Sequence, residues 1–144
     1  MSIPFVACMV AAASLYNLPP RVLPSIQAVE GGQAGLVKFN RNGSADLGPM
    51  QVNTIWVRPL ARYARISQEV VVTRLINDPC FNIEAAAAIM RVYLTEAHGN
   101  VMVAIGYYHS HTPDRSAQYQ AKVTAAAGAL FGRRTLPGAQ RVNE

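Results

Sequence analysis

The chain has 144 residues, 51% of them apolar, which suits one domain built round a continuous core. Thirteen Lys and Arg against eight Asp and Glu leave a net charge of +5, so an anionic polymer is the favoured macromolecular partner, nucleic acid and bacterial cell-wall glycan both qualifying. No stretch of roughly 18 apolar residues is free of breakers, which argues against a membrane span.

Residues 4 to 16 read as a first helix. They are apolar and end in small residues, as a leader peptide does, but no Lys or Arg precedes Arg21, and cleavage there would discard Cys8. We therefore read them as part of the mature fold, with an export signal missing from this numbering. Pro19-Pro20 opens a second helix that runs through Val22, Ile26 and Val29 to Glu30, with Pro24 tolerated near its first turn. Gly31-Gly32 stops it. Residues 36 to 40 and 45 to 52 predict short strands around Asn42-Gly43, a pair suited to the positive φ angles of a tight hairpin. Helices follow at 54 to 64, 67 to 76, 79 to 98, 101 to 109 and 113 to 131, with Ser67, Asp78 and Thr112 as caps and Gly99 as a stop. The run Ala85 to Ala88 permits close approach and marks the 79 to 98 helix as central. The expected fold is mostly α (α+β), a helical bundle around that helix with one small β-hairpin. The domain spans 1 to 132, and residues 133 to 144, with Pro137 and Gly138, form a loose tail.

Acids are scarce, and most have an ordinary structural job. Glu69, Glu84 and Glu96 fall on helix faces, Asp78 and Asp114 sit at helix starts beside prolines, and Glu144 is terminal. Glu30 and Asp46 remain. One acid facing amides such as Gln51 is the chemistry of glycan cleavage, where a carboxyl group of tuned pKa works on a glycosidic bond. In Ser44-x-Asp46-x-Gly48 a short acidic side chain can accept backbone N–H bonds and fix a turn. Its place after Glu30 also resembles that of the second carboxylate of hydrolysing lysozymes, which makes a muramidase using both acids the alternative.

Cys8 and Cys80 lack the spacing of a zinc site. A single disulfide is the natural reading, with two separate buried thiols as the alternative; a bridge would imply an oxidising compartment. His109 and His111, without a third ligand nearby, read as cleft or loop histidines and not as a metal site, and no cofactor is expected. Arg58, Arg62 and Arg65 lie on adjacent turns of one helix. They make a nucleic-acid module the rival class, which a solvated basic face explains as well.

Taken together, the ordered motifs Tyr16-x-Leu18-Pro19-Pro20, Ala28-Val29-Glu30-Gly31-Gly32, Asn42-Gly43-Ser44-x-Asp46-x-Gly48-x-Met50-Gln51-Val52-Asn53-x-x-Trp56, Asp78-Pro79-Cys80-x-Asn82-Ile83 and Ala104-Ile105-Gly106-Tyr107-Tyr108-His109-Ser110 resemble the soluble lytic transglycosylase family. The similarity is strongest to its small members, which accompany secretion, pilus and conjugation machines, and it covers residues 4 to 125. It implies a lysozyme-like helical fold, a periplasmic location, peptidoglycan strands as substrate and a Cys8–Cys80 bridge; we expect a monomer that binds no nucleic acid.

The same resemblance assigns Glu30 as catalytic acid and Gln51, Met50, Gly48, Tyr108, Tyr119 and His109 to substrate binding. Three positions depart from the family pattern: Gly31 stands where serine is common, Pro49 replaces leucine in Gly-Leu-Met-Gln, and His109 replaces the asparagine of Ala-Tyr-Asn-Ala-Gly. The implied reaction closes the muramic acid C6 hydroxyl onto C1, giving a 1,6-anhydro sugar.

Overall fold

A computed structural model of the protein describes residues 2–132; the expected tail, 133–144, lies outside the described residues. Seven α-helices and a three-stranded antiparallel sheet occur in the order α1 (Val6–Leu15), α2 (Val22–Glu30), β1 (Val37–Phe39), β2 (Ala45–Leu47), β3 (Val52–Asn53), α3 (Val57–Ala64), α4 (Gln68–Asn77), α5 (Pro79–Glu96), α6 (Val101–His109) and α7 (Pro113–Phe131). The fold is mostly helical and lysozyme-like, as the sequence predicts. None of the described helices is long and apolar enough to cross a membrane.

Helix α5 is the central element, packed against α1, α2, α4, α6 and β3. Ala85, Ala86 and Ala87 are buried on it, and such small side chains let neighbouring backbones come close. Leu23, Ile26, Leu47, Met50, Leu75, Ile83 and Met90 are among the fully enclosed side chains of the core. Ser67 and Asp78 cap as expected, accepting the N–H groups of Val70 (3.1 Å) and Phe81 (3.1 Å). Thr112 occupies the cap position of α7 without a side-chain capping bond. Residues 54 to 56 form a 3-10 turn before α3, with Asn53 Oδ1 accepting the Ile55 N–H (2.9 Å) and so shortening the helix predicted over 54 to 64.

The hairpin lies where expected, with β1 and β2 paired Val37 to Leu47 and Phe39 to Ala45. Its tip differs in mechanism. Of Asn42-Gly43 only Gly43 has positive φ, while Asn42 Oδ1 accepts from the Ser44 N–H (3.0 Å) and hydroxyl (2.6 Å). The strand predicted over 45 to 52 is split in two by a turn at 48 to 51. Gly48 (φ 68°) and Gln51 (φ 54°) reverse the chain there, so β3 returns along β2 with Asn53 opposite Asp46.

That turn is held from below by Asn82, which is fully buried on α5. Its Nδ2 donates to the carbonyls of Leu47 (2.8 Å) and Leu75 (2.9 Å), and its Oδ1 accepts the Met50 N–H (2.8 Å). Gly48 has no room for a side chain, since a Cβ would stand 2.3 Å from the Leu75 carbonyl oxygen and 2.5 Å from Asn82 Nδ2. Leucine at position 82 would strand one N–H and two carbonyls in the core. We expect Asn82→Leu to cost about 2–4 kcal/mol, read as a lower midpoint in urea unfolding.

Cys8 of α1 and Cys80 of α5 form a disulfide with their Cα atoms 5.3 Å apart. It closes a span of 72 residues. Unfolding of the reduced protein should show a loss of roughly 2–5 kcal/mol, and thiol titration of denatured, unreduced protein should find no free thiol.

Candidate active site

Glu30 is the last residue of α2, and the chain leaves it through two glycines with different duties. Gly31 takes φ 65° at the helix C-cap. At Gly32 a Cβ would stand 2.2 Å from the Gly48 carbonyl oxygen, so the backbone here lies directly against the 48–51 turn. Buried Gln27 fixes the same exit by donating to the Gly32 carbonyl (3.1 Å). The helix end and the turn are thereby locked together, bringing Glu30 and Gln51 into one groove.

The groove encloses about 490 Å³. From the sheet side come Asn42, Ser44, Asp46, Gln51 and Asn53; from α5 and α6 come Tyr93, Tyr107 and Tyr108. The sheet residues form one hydrogen-bonded strip: Asn53 Nδ2 donates to Asp46 Oδ1 (2.9 Å) and Ser44 Oγ (3.1 Å), and Asn40 Nδ2 also donates to Ser44 Oγ (3.1 Å). At the aromatic end Tyr93 meets Trp56 edge-on (centroids 5.8 Å), and His111 stacks on Tyr107 (4.1 Å) while its Nε2 bonds Glu96 Oε2 (2.8 Å). Hydroxyl-binding amides beside flat rings are the surface a saccharide requires.

Glu30 is partly buried, and loss of hydration is the largest influence on it, pushing its carboxyl above the usual carboxylate range. The Tyr119 hydroxyl donates to Glu30 Oε2 (2.5 Å) and works against that shift, the Asp46 charge adds to it, and Lys38 and Lys122 oppose it. The net direction is upward, as a proton donor near neutral pH needs. Burial and the neighbouring Glu30 drive the Tyr119 phenol far above its ordinary value, so it remains a donor. Tyr108, likewise raised by burial, donates to the Met50 carbonyl (2.8 Å). The exposed His109 ring lies flat against Tyr119 (5.0 Å, 9°); desolvation, then Lys122 and Arg115, lower its pKa.

Glu30, Gln51, Asp46, Tyr108 and His109 thus share the groove, with Tyr119 gripping Glu30 from α7. Two expected substrate contacts are corrected. The Met50 side chain is wholly enclosed in the core, and Gly48 acts through its backbone, its carbonyl accepting from the Gln51 N–H (3.1 Å) and Nε2 (3.0 Å). Asp46 is also not the turn cap expected of it: it sits on a strand, bonded to the Asn53 amide. Glu96 is more than a solvated acid, since it holds His111. Sequence reasoning assigned no role to Asn82 or Tyr93; the signal available for the former was a polar side chain as the fourth residue of α5, within the Asp78-Pro79-Cys80-x-Asn82-Ile83 motif. Arg58, Arg62 and Arg65 are exposed on and just beyond α3, and none of them lines the groove.

A lysozyme-like fold with two acids, Glu30 and Asp46, in a groove of amides and aromatic rings places this protein in the lysozyme-like class. More narrowly, residues 7–128 match the model described as the Transglycosylase SLT domain, and the chain belongs to that family. It is similar to the invasion protein IagB of Salmonella typhimurium, 31% identical over 111 residues covering 76% of this chain and 66% of that protein. It is also similar to the protein IpgF of Shigella flexneri, 30% identical over 116 residues covering 80% of this chain and 72% of its counterpart. The chain spans just under two thirds of the length of the Salmonella relative.

The Glu30–Tyr119 bond makes a signed prediction. The phenol favours the charged carboxylate, so its removal in Tyr119→Phe should raise the Glu30 pKa further. The limb of the pH–rate profile on which activity falls with rising pH should move to higher pH than in wild type.

Proposed function

We propose that this protein is a peptidoglycan lytic transglycosylase that cleaves the β-1,4 bond between N-acetylmuramic acid and N-acetylglucosamine. The observation that carries the reading is the pairing of one raised-pKa acid, Glu30, with an Asp46 already engaged by Asn53. In this mechanism protonated Glu30 gives its proton to the glycosidic oxygen as the C1–O bond breaks. The resulting carboxylate takes the proton of the muramic acid C6 hydroxyl, whose oxygen closes onto C1. Glu30 ends protonated, and no water is consumed. The substrate's N-acetyl group can steady the positive charge at C1, so a second protein carboxylate is not required. Gln51 and the Tyr108 ring orient the sugar.

Family membership and the Cys8–Cys80 bridge support a place in the cell envelope, where disulfides persist and the substrate lies. The name of the Salmonella relative, an invasion protein, supports local wall opening for a secretion, pilus or conjugation apparatus.

Glu30→Gln should lower cleavage of purified cell wall by about a hundredfold or more while leaving the circular dichroism spectrum unchanged. Asp46→Asn should retain substantial activity and still release ends lighter by one water than a reducing sugar. Mass spectrometry of the products checks both. Ordinary reducing ends from wild type, together with a dead Asp46→Asn, would establish a double-displacement muramidase instead.

A further inference from the structure

Beside the main groove, and sharing Glu30, His109 and Arg115 with it, lies a second cavity of about 190 Å³. It is lined by β1 through Lys38, by the end of α2, and by α7 through Arg115, Gln118, Tyr119 and Lys122. Three cations from two distant parts of the sequence therefore surround one hollow. The only carboxyl group in its lining is Glu30. The two ion pairs among the described residues, Arg74–Asp78 and Glu96–His111, involve none of these cations.

Unpaired like charges gathered round a cavity repel one another and gain when an anion enters. The effect is felt inside the protein: Lys122 and Arg115 both depress the basicity of His109, and Lys38 and Lys122 both act on Glu30. His109, stacked on Tyr119, lines both cavities together with Glu30 and Arg115, so the hollow and the main groove adjoin at the candidate acid.

We propose that this cavity is a carboxylate subsite that holds the anionic substituent of the muramic acid while the glycan occupies the main groove. The inference rests on the proposed glycan-cleaving function. In peptidoglycan a muramic acid carries its lactyl group either amide-linked to a short peptide bearing free carboxylates or, where the peptide has been removed, as a carboxylate itself. The cations suit either source. Arg115 can engage a carboxylate through two parallel N–H bonds, and the two lysines supply point charge. Binding of this kind also sets which sugar stands at the scissile bond, because N-acetylglucosamine has no such group.

Affinity on the inactive Glu30→Gln protein tests the subsite independently of cleavage. Three probes are titrated calorimetrically at low salt: a disaccharide tetrapeptide of peptidoglycan, the same disaccharide without its peptide, and chitotetraose, which has no charge. We expect the tetrapeptide probe to bind about tenfold more tightly than chitotetraose, and Lys38→Gln/Lys122→Gln to erase that preference. Arg58→Gln/Arg62→Gln, which removes the same charge from α3, should keep it. The peptide-free disaccharide reveals the source, following the tetrapeptide probe if the lactyl carboxylate is held and chitotetraose if the stem is. Equal affinity for charged and uncharged probes in the parent, or a preference that survives loss of both lysines, would overturn the subsite. Failure of the parent sequence with Glu30 restored to cleave cell wall would overturn the proposed function and leave this result standing.

Discussion

The buried Asn82 side chain is the constraint on which the rest of the site depends. Its amide ties β2, the end of α4 and the 48–51 turn to the central helix with three hydrogen bonds, in a place where water cannot substitute. Because the turn is fixed, Gly48 can press against α4, Gly32 can press against Gly48, and the end of α2 is set in one position. The 54° φ of Gln51 is maintained by the same attachments. Strain of that kind at a non-glycine residue persists only where the surroundings over-determine it, and here it points the Gln51 side chain to the groove.

Glu30 shows how such a frame turns packing into chemistry. Partial burial makes its charged form costly, while the Tyr119 hydroxyl and two lysines keep that form within reach. An acid that must donate a proton and then accept one needs both influences. The arrangement has a cost in stability. With its folded pKa raised, Glu30 contributes stability that is fully present below the unfolded carboxyl value and is lost as pH rises through the folded one. The site is thus least favourable to the fold under the conditions in which the carboxylate forms.

The charges of the molecule are sorted by place. The strip along the sheet is amide and hydroxyl with one acid, the far end is aromatic, and the cations of Lys38, Arg115 and Lys122 gather on the other side of Glu30. The arginines of α3 lie elsewhere, on a solvated face. Of the cations behind the positive net charge, Lys38, Arg115 and Lys122 adjoin the groove and the arginines of α3 do not.

Helices, caps and the hairpin were legible in the chain because each rests on local chemistry: Ser67 and Asp78 bond their own next turn, and a run of alanines packs closely in any helix. Glu30 was found by elimination among few acids and by the order of motifs around it. The role of Asn82 was not legible, since its partners are 7, 32 and 35 residues away. Nor was the break of the predicted 45 to 52 strand, where the backbone reverses because α5 supplies a donor and an acceptor that the strand does not contain. By itself the sequence determined the helices, the hairpin, the net charge and the candidate acid. Only the tertiary structure decided that Met50 belongs to the core, that Asp46 is bonded to Asn53, and that three distant cations meet beside Glu30, because burial and electrostatic fields are set by distances in space and not along the chain.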